Sequence, residues 1–217
     1  LPPPAERVLV SAEETAAYLA ASAEALSTLK AAGTMTLLDS DGETLSAPAV
    51  VLFRAPDAFY LRAYKPLTPT LFSITSKGPR FWFFIPEDKV IYAGTHEALQ
   101  RHPEYEVAIS PESFLAALFP QPVREGRTFS FEQTAGAAVL SVFASDGAHA
   151  VLERKLWFDP AMRACVREEY YAPTGFVWYE IKRDTFFIHP PSTIPLAQEL
   201  FIRNVQQNVA LTISFST

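Results

Sequence analysis

The sequence is short of cysteine, of glycine and of clustered positive charge. Its 217 residues include 1 cysteine, Cys165, and 8 glycines. A single cysteine excludes an internal disulfide framework and any metal site built from several cysteines. The formal net charge is -6 and lysine and arginine form no runs, so the chain lacks the basic patch that nucleic acid or an anionic membrane surface requires. We therefore expect no nucleic-acid partner.

Signatures of membrane spans, metal sites and catalysis are also missing. No segment approaches the roughly 18 consecutive apolar residues of a membrane span. The histidines, His96, His102, His149 and His189, show no metal-binding spacing, so we expect no metal and no cofactor. The sequence contains no nucleophile elbow and no glycine-rich phosphate loop. We expect a protein that is not an enzyme, because a hydrolase would need Cys165 or a histidine beside a partner in a cleft.

Apolar residues and proline are abundant: 49% of the chain is hydrophobic, 13% is aromatic, and 18 residues are proline. The first residues read Leu-Pro-Pro-Pro without a methionine. Residues 1–10 are predicted to be a proline-rich tether that would hold a domain off a membrane; an arbitrary start of the chain is an equal alternative. Residues 11–217 contain no flexible linker, which predicts a single domain.

Two helices are predicted. Ser11 and Glu14 have the spacing of a capping box, which predicts a helix over residues 11–30, ended by Gly33. Its apolar face comprises Tyr18, Leu19, Leu26 and Leu29. A short middle helix is predicted over residues 110–119, with Ser110 as N-cap and a proline at the first helical position.

Elsewhere the hydrophobic period is two, which predicts strands. Turn signals such as Asp41-Gly42 separate them. The predicted strands span residues 34–38, 44–54, 58–64, 70–76, 80–85, 89–93, 128–133, 138–144, 149–158, 164–171, 176–187, 197–204 and 209–215. The fold class is therefore mainly β (α+β), with a single strongly curved antiparallel sheet.

The apolar content of this sheet has two interpretations. Either the helices fill its concave face as an ordinary core, or they leave a cavity for an apolar ligand. The aromatic group Tyr170, Tyr171, Trp178 and Tyr179 could line a sugar or lipid site, or could pack across strands. Glu168 and Glu169 are predicted on opposite faces of one strand, so they cannot form a catalytic pair, and one of them should face solvent.

The order of these elements resembles the bacterial outer-membrane lipoprotein carrier and receptor superfamily, the LolA/LolB-like proteins. The resemblance covers nearly the whole chain through its pattern and order. The segments that carry it are LKAAGTMTL (29–37), FRAPD (53–57), FYLR (59–62), GPRFWFFIP (78–86), LWFDP (156–160), VREEYY (166–171) and GFVWYEI (175–181).

The resemblance implies an unclosed β-barrel of about eleven strands, lidded by the N-terminal and the middle helix, whose concave face accepts acyl chains. The expected lining of this lipid-binding cavity is Phe53, Phe59, Leu61, Phe72, Phe81, Phe83 and Ile181. The lids would contribute Leu26 beside Tyr18, and Phe114 and Leu118. The expected partner is a lipid or the acyl chain of a lipoprotein, and the expected state is a monomer.

The receptor branch of this superfamily also carries a loop with an exposed leucine between its third and fourth strands. Pro66 and Leu67 occupy the corresponding loop here, although Thr68 replaces the family's glycine. The resemblance implies that Leu67 contacts a membrane, namely the inner leaflet of the outer membrane, or a partner; the alternative is an ordinary turn residue. The implied location is the bacterial periplasm, with outer-membrane anchoring as a lipoprotein. The alternative function is a structural or assembly component of the envelope with a filled core.

Overall fold

The computed structural model describes residues 11–65, 70–101, 109–134, 136–145, 147, 149–188 and 194–216, with the side chains of residues 99–101 left out. The predicted tether over residues 1–10, the loop residues Pro66 and Leu67, and the histidines His102 and His189 lie outside the described residues. Their predicted roles therefore stay predictions.

All described strands belong to one antiparallel sheet. The first six are β1 (Thr28–Leu38), β2 (Thr44–Arg54), β3 (Ala58–Tyr64), β4 (Thr70–Lys77), β5 (Arg80–Ile85) and β6 (Val90–Thr95). The others are β7 (Thr128–Gln133), β8 (Ala138–Ser145), β9 (Ala150–Asp159), β10 (Ala164–Tyr171), β11 (Val177–Ile188), β12 (Pro195–Asn204) and β13 (Val209–Phe215).

The sheet consists of two meanders joined at one strand pair. Its order is β6-β5-β4-β3-β2-β1-β13-β12-β11-β10-β9-β8-β7, so every neighbour is consecutive in sequence except β1 and β13. These two strands pair from Gly33 opposite Phe215 to Leu38 opposite Ala210. The sheet does not close, since β6 and β7 are its two edges. The predicted mainly-β fold with one unclosed antiparallel sheet is confirmed, with 13 strands rather than about eleven.

The N-terminal helix is shorter than predicted. Helix α1 (Ala12–Ala25) begins after Ser11, whose side chain accepts a hydrogen bond from the Glu14 N–H at 3.1 Å. The predicted continuation to residue 30 is wrong, because β1 pairs with β2 along its whole length from Thr28. The strand pairing with β2 outweighs the helix propensity of these residues, which is a local preference over only a few positions.

Gly33 consequently does not end a helix; it lies inside β1. A Cβ atom on this residue would lie 2.1 Å from the Ser214 carbonyl oxygen. Glycine is needed here because the backbones of β1 and β13 approach too closely for a side chain. The close contact lies at the junction of the two meanders.

The middle helix is confirmed. Helix α3 (Pro111–Leu118) has Ser110 as N-cap, and the Ser110 hydroxyl accepts the Ser113 N–H at 3.0 Å. Another short helix, α2 (His96–Arg101), follows β6 in a stretch for which neither a helix nor a strand is predicted. A Thr95 hydroxyl that accepts the Ala98 N–H at 3.1 Å caps its start.

The two longer helices cover different parts of the sheet. Helix α3 packs against β4, β11 and β12, and its apolar side chains join a large core with β1, β2, β3 and β13. Helix α1 inserts the fully buried Leu19 into a second core from β8, β9 and β10, which includes Leu140, Leu156 and Phe158. Each helix therefore shields a separate apolar region of one face.

Candidate ligand-binding cleft

The predicted cavity lining is mostly buried core. Phe72 and Phe83 are partly buried and contact each other with ring centroids 5.7 Å apart. The other eight residues are buried: Leu26, Phe53, Phe59, Leu61, Phe81, Phe114, Leu118 and Ile181. In this conformation these side chains face protein, so their contact with an acyl chain stays a prediction.

Helix α3 and the residue that follows it cover two of them, Phe53 and Phe59. Phe114 stacks on Phe59 with ring centroids 4.7 Å apart, and Phe119 meets Phe53 edge-on at 4.7 Å. Aromatic pairs at such distances are well packed. The part of the sheet formed by β2 and β3 is therefore occupied by the side chains of α3.

A cleft of about 800 Å³ lies beside α3 on the C-terminal meander. Strands β8 to β11 provide one wall, and α3 provides another through Glu112, Ser113, Leu115 and Ala116. Residues 121–124, after α3, and the turn after β12 complete it. Of the predicted lining residues, Ile181 borders this cleft.

The aromatic group for which the sequence allowed two interpretations also lines the cleft. Tyr170, Tyr171, Trp178 and Tyr179 all border it, at the adjoining ends of β10 and β11. Trp178 and Tyr179 contact each other edge-on at 4.8 Å. Tyr170 and Tyr179 lie directly opposite each other in the β10–β11 ladder, as the cross-strand interpretation expects, whereas contact of this group with a sugar or lipid stays a prediction.

Strand β11 fixes α3 over the sheet at both ends. Tyr179, Ile181 and Arg183 alternate along β11 and are all buried. The Tyr179 hydroxyl interacts with the side chain of Ser113 and the backbone of Ser110 at the start of α3, and burial raises the pKa of Tyr179. Arg183 Nε donates to the Ala117 carbonyl at 2.9 Å, at the other end of the helix.

A buried charge cluster lies beneath the end of α3. Glu168 is fully buried between two arginines, with its Oε2 atom 2.6 Å from Arg154 Nη2 and its Oε1 atom 2.5 Å from Arg183 Nη2. The Tyr170 hydroxyl donates to Oε2 at 3.1 Å. Burial by itself would raise the pKa of Glu168, but Arg154 and Arg183 together outweigh burial and hold this pKa below its ordinary value. Glu168 is thus ionised at neutral pH.

Cys165 belongs to the same cluster and is not an activated nucleophile. Burial, followed by the adjacent Glu168 carboxylate, raises the pKa of the Cys165 thiol to about 12. Its Sγ atom donates to the Arg167 carbonyl at 3.4 Å. A catalytic thiol needs a lowered pKa, so Cys165 remains a protonated structural residue. In the described part of the chain, no three metal-binding side chains form a group that could hold an ion.

Glu168 and Glu169 lie on opposite faces of β10, as predicted, but neither side chain has the predicted solvent exposure. Glu169 lies on the opposite face from Glu168 and pairs with Arg167 at 2.5 Å. Its side chain is nevertheless only 12% exposed, so the prediction that one carboxylate faces solvent is wrong. The Glu169 carboxylate also accepts the Tyr171 hydroxyl. Both carboxylates are therefore paired with polar side chains on their own face of the sheet.

One signal in the sequence could have located the cluster. Arg183 continues the buried alternation of Tyr179 and Ile181 on β11, at a position where an apolar residue is expected. Glu168 lies directly opposite Ile181 in the ladder. Charges at inner positions of neighbouring strands must be paired to be buried, so this register indicates an ion pair.

No protein-family model matches the sequence, and no curated protein sequence matches it. Solved structures do. A LolA superfamily protein from Nitrosomonas europaea superposes with a TM-score of 0.61 at 12% identity, covering 96% of this chain and 93% of its own. A domain named for outer membrane lipoprotein sorting, from Vibrio parahaemolyticus, gives a TM-score of 0.62 at 16% identity, covering 95% and 90%.

A DUF1329 family protein from Desulfovibrio piger gives a TM-score of 0.66 at 10% identity, again covering 95% of this chain and 90% of that one. All three identities are low, so the similarity concerns the fold. The predicted resemblance is confirmed at the level of the fold: the chain has the fold of LolA superfamily and outer membrane lipoprotein-sorting proteins.

Among the described helices, none combines the length and the apolar character needed to cross a membrane.

Proposed function

We propose that this protein is a non-enzymatic binding protein of the bacterial periplasm. It holds acyl chains of a lipoprotein or another lipid for transport to, or insertion into, the outer membrane. The observation that carries the proposal is the cleft of about 800 Å³ beside α3, in a sheet with the LolA superfamily fold. This volume falls within the ~300–1,000 Å³ typical of small-molecule sites.

The cleft can shelter an apolar chain without covalent chemistry. Its accessible apolar lining includes Leu115, Pro122 and Val123, next to the buried Ile181 and Val142. Transfer of an acyl chain from water into such surroundings contributes about 0.8 kcal/mol for each buried CH₂ group. Binding therefore requires only desolvation, and release requires a competing apolar environment such as a bilayer.

The predicted lining residues under α3 would join the site if α3 moved. Phe59 and Phe114 are packed on each other, and displacement of α3 would expose both to a bound chain. In this proposal α3 acts as the lid, and Pro66 and Leu67 contact the membrane or partner that receives the cargo. Anchoring to the outer membrane as a lipoprotein, and a monomeric state, belong to the same proposal.

A charge placed in the cleft tests the proposal. Leu115→Glu should weaken binding of an uncharged fluorescent apolar probe, N-phenyl-1-naphthylamine, at least ten-fold, because a carboxylate strongly disfavours apolar surroundings. Leu115 is partly buried and lines the cleft. The measurement is a fluorescence titration at neutral pH.

The matched control is Leu52→Glu. Leu52 lies on β2 and is 39% exposed, outside the residues that line the cleft. This variant should bind the probe as the parent protein does. Equal binding by all three proteins, or no binding by the parent, would contradict the proposed site.

One observation favours a second function. The stacked contact between Phe114 and Phe59 shows that α3 sits directly on part of the sheet, as expected for a filled core. In that case the protein would be a structural or assembly component of the envelope with the same fold. An absence of extractable lipid together with an absence of probe binding would favour this alternative.

A further inference from the structure

The cleft is lined by many hydrogen-bond donors, more than a simple acyl channel needs. Beside its apolar walls it presents arginine, tyrosine, tryptophan, asparagine and glutamine side chains. Asn204 is held in place on this wall, since its Nδ2 atom donates to Gln207 Oε1 at 2.8 Å. Clefts that bind ligands generally combine apolar surface with a few fixed polar groups that orient the ligand. The fixed donors indicate a ligand that carries strong acceptors.

The charge of the lining also differs from that of the chain. Arg124, Arg127 and Arg154 line the cleft, against the carboxylates Glu112 and Glu153, an excess of one positive charge in a chain of net charge -6. Arg127 is paired with Glu153 at 2.5 Å. The lining thus carries a small positive excess within an acidic chain, which favours an anionic over a cationic group.

Arg154 is the most constrained of these cations. It is 6% exposed and its guanidinium is fixed from two sides: Nε donates to Glu168 Oε2 at 2.9 Å, and Nη1 donates to the Gln121 carbonyl at 2.8 Å. Its plane lies over the Tyr170 ring at 5.3 Å. Nη2 contacts Glu168 at 2.6 Å, yet makes no hydrogen bond of good geometry among the described residues.

A guanidinium that borders a cleft and is already held in one orientation is suited to phosphate. Arginine binds phosphate oxygens in a planar, two-pronged manner, and prior fixation lowers the entropy lost on binding. Glu168 is shared with Arg183, so one carboxylate serves two cations and the pair of arginines is not fully neutralised. The cluster of Arg154, Arg183 and Glu168 therefore carries one net positive charge next to the cleft that Arg154 lines.

We propose that the cleft recognises the phosphate group of a phosphate-bearing lipid, with Arg154 as the buried donor and Arg124 as an exposed cation. This inference rests on the proposed lipid-binding function and specifies its ligand class. The acyl chain lies along Leu115 and Val123, and the phosphate lies near Arg154. A neutral lipid of equal chain length makes the same apolar contacts but leaves the donors unused.

The test compares three ligands by displacement of the fluorescent probe, below the ligands' micelle concentrations. They are a lysophosphatidylglycerol, a monoacylglycerol of the same chain length, and glycerol 3-phosphate. The phospholipid should bind at least ten-fold tighter than the neutral lipid, and glycerol 3-phosphate should not displace the probe at millimolar concentration. Raised salt should reduce the preference, because it screens the charge attraction.

Two variants assign the preference to residues. Arg154→Lys, which keeps a charge for Glu168 but loses the planar donors, should reduce the ten-fold preference to about two-fold, since lysine does not replace arginine at such sites. Arg124→Gln, at an exposed position outside the buried cluster, should reduce it about three-fold. The control Arg203→Gln removes the same charge from an exposed position on β12 outside the cleft lining and should leave the preference unchanged.

Each outcome decides a separate point. Equal affinity for the phospholipid and the neutral lipid would overturn the phosphate inference while leaving the proposed lipid binding intact. Displacement by neither lipid would overturn the proposed function itself. Displacement by glycerol 3-phosphate as strong as that by the phospholipid would show phosphate recognition without a lipid, and would also overturn the proposal.

Discussion

Glu168→Gln is expected to lower the free energy of unfolding by about 3–5 kcal/mol, as is typical when one partner of a buried ion pair is removed. The carboxylate lies between Arg154 and Arg183 and is fully buried. Glutamine fills nearly the same volume but leaves two buried cations without a counter-charge. Urea denaturation at neutral pH, followed by tryptophan fluorescence, measures the change.

The pH dependence of stability should report the same residue. The pKa of Glu168 in the folded protein lies below its ordinary value of 4.5, so the unfolded chain takes up this proton first as the pH falls. The contribution of Glu168 is therefore complete above pH 4.5 and is lost as the pH falls toward the folded-state pKa. The variant should lose less stability than the parent protein over this acid range.

Glu169→Gln is the matched control for Glu168→Gln. It removes the neighbouring carboxylate, which pairs with the 43% exposed Arg167. Pairs with such a solvated partner contribute at most about 1 kcal/mol, and a loss of that size is expected. If Glu168→Gln cost no more than Glu169→Gln, or kept the parent's acid sensitivity, the buried cluster would not have the role assigned to it.

Phe114→Ala is expected to lower the free energy of unfolding by about 3–5 kcal/mol, as large-to-small changes at buried phenylalanines do. Phe114 is 1% exposed and stacks on Phe59 between α3 and the sheet. The variant loses both the apolar burial and the ring contact. The same denaturation experiment gives the value.

This variant also distinguishes a filled concave face from an open one. Phe129→Ala, on the edge strand β7 where Phe129 is 36% exposed, should cost less than about 1 kcal/mol. A similarly small cost for Phe114→Ala, together with increased probe binding, would mean that Phe114 normally faces a ligand rather than Phe59. Such a result would mean that the cleft continues beneath α3 in the ligand-free protein.

The strands were predictable because their signals are local. The bounds of β2, β3, β5, β7, β10 and β13 agree with the predicted ranges to the residue, since turn residues and a period of two mark strand ends directly. The start of β1 was mistaken for helix because its alanines and lysine favour helix locally. Its pairing with β2 and β13 depends on residues distant in sequence, which local propensity does not include.

The cleft was harder to predict, because its position depends on where α3 rests on the sheet. The sequence indicates that Phe53, Phe59 and Phe114 are apolar and face inward, but not that the rings fill one another's space. The aromatic residues of β10 and β11 border the cleft because Tyr179 and Arg183 hold α3 over one side of β11. Arg183 at an inner strand position is the sequence feature that indicates the buried cluster and, with it, the placement of α3.

The central claim is that the cleft holds a lipid, and its direct test is the content of the protein itself. Protein purified without detergent from a bacterial envelope fraction is extracted with organic solvent, and the extract is analysed by mass spectrometry. We expect a phosphate-bearing acyl lipid in the extract of the parent protein, in stoichiometric amount. The lipid should be depleted in Leu115→Glu but not in Leu52→Glu. A parent protein that yields no lipid and takes up none when it is offered would contradict the account.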